Sequence, residues 1–366
     1  MSVLFTPAAI GPVAVPNRFV RSATHDYMAD DGGNVTDAQI ALYARLAEGE
    51  VGLIVTGHAH VQPSGQASPR QMGVFDDGFV AGLARIPAAV HRFPSKVFLQ
   101  IAHAGRQTKA RLCGGVPVSP SAVHDPVSKV TPRELTDGEV RAVIADFVSA
   151  AARAKRAGFD GVQLHAAHGY LLSSFLSPHT NRRTDAWGGP VENRVRALLE
   201  ILRGIKAVCG REFPAIVKLN ATDLLDGGLS VEDAVSVARL LEAEGIDGIE
   251  VSGGMAEAGR GSVWPGLRAE EDEGYFAGYA ARVKRAVKVP VSALGGIRTL
   301  AVAERIVAEG RADLVSLSRP LIRDPFLVRR FREGLAARSE CLSCNGCFNP
   351  RGIRCAELAK KRRQGP

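Results

Sequence analysis

Gly161-Val162-Gln163-Leu164-His165-Ala166-Ala167-His168-Gly169-Tyr170 decides how the rest of this chain is understood. Gly161 to His165 has the short, buried character of a strand, and at its end two imidazoles, a glycine and a phenol follow at once. On either side, Asp137 to Ala157 and Val191 to Val208 carry apolar residues at three- and four-residue steps, as amphipathic helices do. A strand between two such helices is the repeating unit of a parallel sheet.

The alternation extends in both directions. Strand candidates are Arg18 to Ala23, Val51 to Thr56, Lys96 to Ala102, Ala215 to Asn220, Gly248 to Ser252, Val289 to Ala293 and Leu314 to Leu317, about eight with the quoted stretch. Further helices are expected over Val231 to Glu244, Thr299 to Glu309 and Pro320 to Leu335. Ser230, with Asp233 three residues on, resembles a cap, and Gly245 and Gly310 stand where chains leave helices. Eight such units close into a ring. The expected fold is α/β, a single (β/α)8 TIM barrel over residues 1–335, followed by a short cysteine-containing, basic tail over residues 336–366. Chemistry in such a barrel gathers at the C-terminal strand ends, where Gln107 to Thr136 and His168 to Gly189 form long loops.

Composition sets the class. With 366 residues, 46% hydrophobic and 23% charged, the chain can bury a large core. It has no uninterrupted apolar run of about 20 residues, and Met1 to Pro7 lacks the pattern of a secretion signal. Six cysteines are too few for a disulfide scaffold in so long a chain. A cytoplasmic protein with no membrane partner is expected. The net charge of +8 is concentrated at the end, where residues 351–366 hold six Arg or Lys against Glu357. That is a solvated tail rather than a nucleic-acid surface, so no nucleic acid is expected as a partner.

At the barrel mouth, neutral imidazoles can donate hydrogen bonds to a carbonyl oxygen, and a phenol can deliver a proton to a forming carbanion. His165 and His168 also match the spacing of a metal pair, or of ordinary polar loop residues. Lys218, inside a strand, needs a partner if it faces a barrel interior. Gly295-Gly296 and Ser318-Arg319, after the last two strands, offer close backbone approach, amide donors and a guanidinium for a phosphate.

Phe175-Leu176-Ser177-Pro178, Asn181-Arg182-Arg183-Thr184-Asp185, Trp187-Gly188-Gly189 and Glu192-Asn193-Arg194 resemble the signature of the old yellow enzyme family. The likeness runs from Leu4-Phe5-Thr6-Pro7 through Gln100-Ile101-Ala102-His103-Ala104-Gly105-Arg106-Gln107 to Leu317-Ser318-Arg319-Pro320-Leu321. It implies an FMN-binding barrel in which NADH or NADPH reduces the flavin, and the flavin reduces the C=C bond of an α,β-unsaturated carbonyl compound. Such an ene reductase takes a small activated alkene, and family habit suggests a homo-oligomer. By the same resemblance, His165 and His168 grip the substrate carbonyl, Tyr170 is the proton donor and Tyr27 a second substrate contact. Ser22, Ala23 and Thr24 lie beneath the flavin ring, with Gly57 near it; Gln100 meets the pyrimidine edge and Lys218 the N1 side. Gly253 and Gly254 join Gly295, Gly296, Ser318 and Arg319 in the cofactor wall. His25 departs from the family, where Thr or Cys is common near the reactive edge of the flavin, and its role stays open.

Cys341-x2-Cys344-x2-Cys347 and then Cys355 resemble the cluster motif of the 2,4-dienoyl-CoA reductase and trimethylamine dehydrogenase branch. A [4Fe-4S] cluster, zinc and metal-free thiols all suit this spacing. In that branch the fourth cysteine lies further off and large FAD- and nucleotide-binding domains follow, which are not expected here. Two other functions remain open, an iron-sulfur flavoenzyme of that type and a flavin electron-transfer protein.

Overall fold

The structure, a computed structural model, describes residues 2–363. Eight parallel strands form a ring: β1 (Phe19–Arg21), β2 (Leu53–Val55), β3 (Lys96–Ala102), β4 (Gly161–Ala166), β5 (Ala215–Asn220), β6 (Ile249–Ser252), β7 (Val291–Ala293) and β8 (Leu314–Leu317). Val315 of β8 pairs with Phe19 of β1, and Leu53 of β2 with Lys96 of β3, which closes the ring into the expected (β/α)8 barrel.

Successive strand residues point to opposite faces, so each strand carries an outer and an inner series. The outer series, with Val162, Leu164, Val217, Leu219, Val251 and Val315, packs in one core with helix residues such as Phe147, Leu198, Leu202, Val237 and Leu241. The inner series changes character along the axis. At the N-terminal end Val20, Leu53, Phe98, Ile216 and Leu314 form a second apolar cluster. Ile10 and Val15, from an antiparallel hairpin (Ala8–Ile10 with Val13–Val15), complete this plug. One step further in come Gln100, Gln163, Lys218 and Glu250, all buried. Polar groups at that depth must satisfy one another or a ligand.

Most expected elements have the expected bounds within two or three residues, and Ser230 caps its helix by accepting from the Asp233 N–H. Two helices differ. Pro320 to Leu335 is two short helices, Arg319–Arg323 and Leu327–Arg332, because Asp324 before Pro325 takes an extended backbone. Val191 to Val208 is interrupted at Val195 between Val191–Arg194 and Arg196–Cys209. The loop His168 to Gly189 contains a buried helix, Leu171–Leu176. The tail returns across the barrel, with Ser339 N–H donating to Arg298 O and Ile353 N–H to Asp26 O, and ends in the helix Ala356–Arg363. Gln364, Gly365 and Pro366 of that tail, like Met1, lie outside the described residues. Among the described residues no helix is long and apolar enough to cross a membrane.

Candidate active site

Strand register brings the polar inner layer together. Pairing sets Lys218 beside His165 on one side and Glu250 on the other, Gln100 beside Gln163, and Asn220 beside Ser252. Gln100 Nε2 donates to Gln163 Oε1 at 2.8 Å, and Gln163 Nε2 donates to Glu250 Oε2 at 3.0 Å. Lys218 Nζ donates to Ser22 Oγ at 2.8 Å and lies 3.5 Å from Glu250 Oε2. Burial lowers the Lys218 pKa from its ordinary value while Glu250 opposes that shift. The ammonium thus has a counter-ion on the barrel floor and free donor capacity toward the mouth.

Above this layer lies a cavity of about 290 Å³ that opens to solvent. The structure gathers Ser22, Ala23, Thr24, His25, Gln100, His165, His168, Tyr170, Lys218, Gly296, Ser318 and Arg319 on its wall. The ring centroids of His165 and Tyr170 are 4.5 Å apart, and those of His165 and His168 5.5 Å. His168 shares a 2.7 Å hydrogen bond with Ser252 Oγ, while His165 Nδ1 is buried without a partner among the described residues. His168 has φ of +63°, a strained backbone for a side chain of this kind, held in part by its N–H donation to Asn220 Oδ1 at 3.2 Å. Burial, with the neighbouring histidines and Lys218, holds His165 and His168 well below the ordinary histidine range. Burial alone lowers His25 to about 3. These rings are therefore neutral donors and acceptors near neutral pH. Burial also pushes the Tyr170 phenol above its ordinary range.

Five of the residues expected at the flavin or the substrate do not line the cavity. Tyr27 packs on His25 with centroids 3.8 Å apart. Gly57 donates its N–H to Tyr43 Oη at 2.9 Å. A Cβ on Gly253 would meet the Phe276 ring at 2.9 Å, one on Gly254 the Gly261 O at 2.5 Å, and one on Gly295 the Phe276 N at 2.9 Å. These three glycines permit close chain packing. Gly296 differs, since it faces the cavity and a Cβ there would run into Leu267 and Tyr275.

His58, Gln107, Ser252, Ser316, Tyr275 and Phe348 also line the cavity. His58 had a usable signal, because Gly57-His58-Ala59-His60 lies beyond β2 much as His165 to His168 spans the end of β4. Phe348 had none, since it comes from the tail. Arg319 explains its presence: Nη1 donates to Trp264 O at 2.9 Å and to Asn345 Oδ1 at 2.7 Å, which ties the tail to the cavity rim.

Cys341, Cys344, Cys347 and Cys355 line one small recess with Arg319 and Arg323. Arg323 Nη1 lies 3.6 Å from Cys355 Sγ, and burial raises the Cys347 pKa to about 11. The thiols share a recess without ligand geometry: among the described residues no group of three or more His, Cys, Asp or Glu side chains is placed to hold a metal ion.

Fold and cavity together define a (β/α)8 barrel of the old yellow enzyme type. The profile of the NADH:flavin oxidoreductase / NADH oxidase family matches residues 3–338, and the chain belongs to that family. It is 39% identical to an NADH oxidase of Thermoanaerobacter brockii over 95% of this chain and 54% of that protein. It is 37% identical to an NADPH dehydrogenase of Bacillus subtilis over 89% of this chain and 93% of that protein. An old yellow enzyme homologue from Zymomonas mobilis superposes with a TM-score of 0.82 at 27% identity, covering 97% of each chain. The chain thus spans about half the length of some curated relatives and nearly all of others.

Proposed function

We propose that the chain is an FMN-dependent, NAD(P)H-consuming ene reductase that saturates the C=C bond of small α,β-unsaturated carbonyl compounds. The observation that carries this reading is His165 Nδ1, a buried donor-acceptor atom with no partner among the described residues, beside Tyr170 in a cavity floored by Lys218. A buried polar atom without a partner is costly, so a ligand atom is its natural complement.

The cavity fits FMN in its donor set. Lys218 and Gln100 would meet the pyrimidine side of the ring, with Ser22, Ala23 and Thr24 against it and His25 nearby; Gly296, Ser318 and Arg319 would meet the phosphate. A buried cation stabilises an anionic ring, and the guanidinium donors of Arg319 not used on Trp264 and Asn345 suit an anion. When bound, FMN supplies the hydride chemistry between nicotinamide and alkene. The chain's own residues do the rest. His165 and His168, neutral through burial, hold the substrate carbonyl and stabilise charge on its oxygen. Tyr170 gives a proton to the α-carbon. Tyr27, packed on His25, would be a second contact for the substrate.

Steady-state NAD(P)H oxidation with and without 2-cyclohexenone tests the proposal. Acceleration by the enone is expected, and an unchanged rate in flavin-loaded protein would favour an electron-transfer role instead.

One observation supports a separate reading of the tail. Four thiols share a recess beside two guanidiniums, a setting suited to a thiolate-bound [4Fe-4S] cluster or zinc once the segment rearranges around it. Iron, sulfide and zinc analysis of anaerobically prepared protein tests it. No step of the alkene chemistry depends on it.

A further inference from the structure

His58 stands between β2 and the cavity and was not among the residues the sequence pointed to. Its surroundings fix which nitrogen carries the proton. The Gln71 side chain is fully buried, and its Oε1 accepts from the Ala67 N–H at 2.7 Å. That contact sets the orientation of the amide. Gln71 Nε2 must then face His58, where it donates to Nδ1 at 2.7 Å and to the His58 carbonyl at 3.3 Å. An Nδ1 that accepts a hydrogen bond bears no proton, so a neutral His58 carries its proton on Nε2. Nε2 lies 3.4 Å from Tyr170 Oη. The ring is tilted 57° to the phenol, with centroids 5.4 Å apart, and stacks on His25, whose centroid is 4.7 Å away.

We infer that His58 is a positioning residue for Tyr170: its Nε2–H donates to the phenol oxygen, turns the phenol hydrogen toward the cavity and stabilises the phenolate left when that hydrogen is transferred. The inference rests on Tyr170 being the proton donor to the alkene.

The chemistry requires such a partner. Burial makes Tyr170 a weaker acid than free tyrosine, so unassisted proton release would oppose the reaction. A donor aimed at the oxygen strengthens its hydrogen bond as negative charge grows there, and that raises acidity at the moment of transfer. The long contact suits this, since hydrogen bonds of a catalytic acid tighten as charge develops. His58 is not itself the proton source. Burial keeps it neutral, and among the described residues the partner of Nδ1 is an amide that cannot supply a second proton. In the balanced step the O–H bond of Tyr170 breaks, a C–H bond forms at the substrate α-carbon, and the phenolate later regains a proton from water at the open mouth.

The experiment uses full-length, flavin-loaded protein and reads two rates: flavin reduction by NAD(P)H, and reoxidation by 2-cyclohexenone. His58→Leu should slow reoxidation about tenfold, the scale of one lost hydrogen bond to a charged group, and leave reduction within twofold. His58→Gln, which keeps an N–H donor, should recover most of the loss. Gln71→Leu, which frees the tautomer without touching the ring, should slow reoxidation in the same direction by less. In a Tyr170→Phe background, His58→Leu should add nothing, because the oxygen it serves is gone. A wild-type reoxidation rate in His58→Leu, alongside a slow Tyr170→Phe, overturns the inference and leaves Tyr170 as the acid. Equal losses in His58→Leu and His58→Gln, or an additive loss in the double variant, reduce His58 to packing and also overturn it. A wild-type rate in Tyr170→Phe removes the reading of Tyr170 itself, and this inference with it.

Discussion

The barrel mouth and the cysteine recess are both places where the sequence puts reactive side chains at suggestive spacings, yet only the mouth assembles them into a site. At the mouth, the ligand set comes from many strand ends, and parallel pairing fixes it: Lys218 cannot leave His165 and Glu250 without breaking register on both sides. In the recess, Cys341, Cys344 and Cys347 sit on a stretch with no regular secondary structure, and Ser343 and Asn345 between them take positive φ. Strands place groups before any ligand arrives, whereas a short irregular loop takes much of its geometry from what it binds.

The largest effects expected are at the mouth. Tyr170→Phe should slow enone-dependent flavin reoxidation by about 10²- to 10⁴-fold, the usual worth of a general acid, and leave reduction by NAD(P)H nearly unchanged. His165→Ala with His168→Ala should cost about 10²- to 10³-fold in the same step and weaken phenol binding, measured by the change in flavin absorbance on titration. Full activity in either would mean that the preformed mouth is not where the alkene reacts.

Arg319 joins the two regions, so its replacement has an intermediate effect on both. Arg319→Ala would remove the charge-assisted hydrogen bond proposed for the flavin phosphate, worth about 1.5–3 kcal/mol, and should then raise the FMN dissociation constant about 10- to 100-fold. It also leaves Asn345 held by its donation to Val263 O and no longer by the guanidinium, so the tail should become more open to limited proteolysis. Unchanged FMN affinity would place the phosphate elsewhere.

Acid should separate the regions further. His25 and His103 have folded-state pKa values near 3, both lowered chiefly by burial, against 6.5 when unfolded. Their folded pKa values are depressed, so the unfolded state binds more protons as pH falls. Their contribution to stability is complete above about pH 6.5 and is lost as pH drops toward 3. The thermal midpoint should fall across that window, less so in His103→Gln; equal acid sensitivity in that variant would show that the buried rings are not responsible. The smallest effect is expected from Cys347→Ser, which should abolish any bound iron or zinc while changing FMN content by less than about twofold. A large loss of FMN would make the recess part of the mouth after all.

Much of this was legible in the sequence, because the barrel is written in short-range signals. Lys96 to Ala102, Ala215 to Asn220 and Leu314 to Leu317 were bounded correctly, since their β-branched residues end at turn or polar residues. The break at Asp324-Pro325 was also written there, in the restriction a proline places on the preceding residue. Of the cavity wall, the residues in and just after the C-terminal halves of β4, β5 and β8 were visible because strand ends in a barrel all point to one face. Gly57 drew attention where its neighbour His58 does the reaching, a one-residue difference that decides which face of a strand end meets the cavity. Gly253, Gly254 and Gly295 suggested ligand approach but serve packing against Phe276 and Gly261, a distinction that depends on contacts far away in sequence. Phe348 and Asn345 reach the mouth only because the tail folds back over it, and no local pattern announces that.

The central claim is that the mouth is a preformed site for FMN and an activated alkene, and anaerobic double-mixing stopped flow tests it most directly. Protein reduced with one equivalent of NAD(P)H is mixed with 2-cyclohexenone, and the flavin absorbance is followed. The account predicts bleaching in the first mix and full recovery in the second, with recovery slowed in Tyr170→Phe. Flavin that bleaches but never recovers with the enone would contradict it.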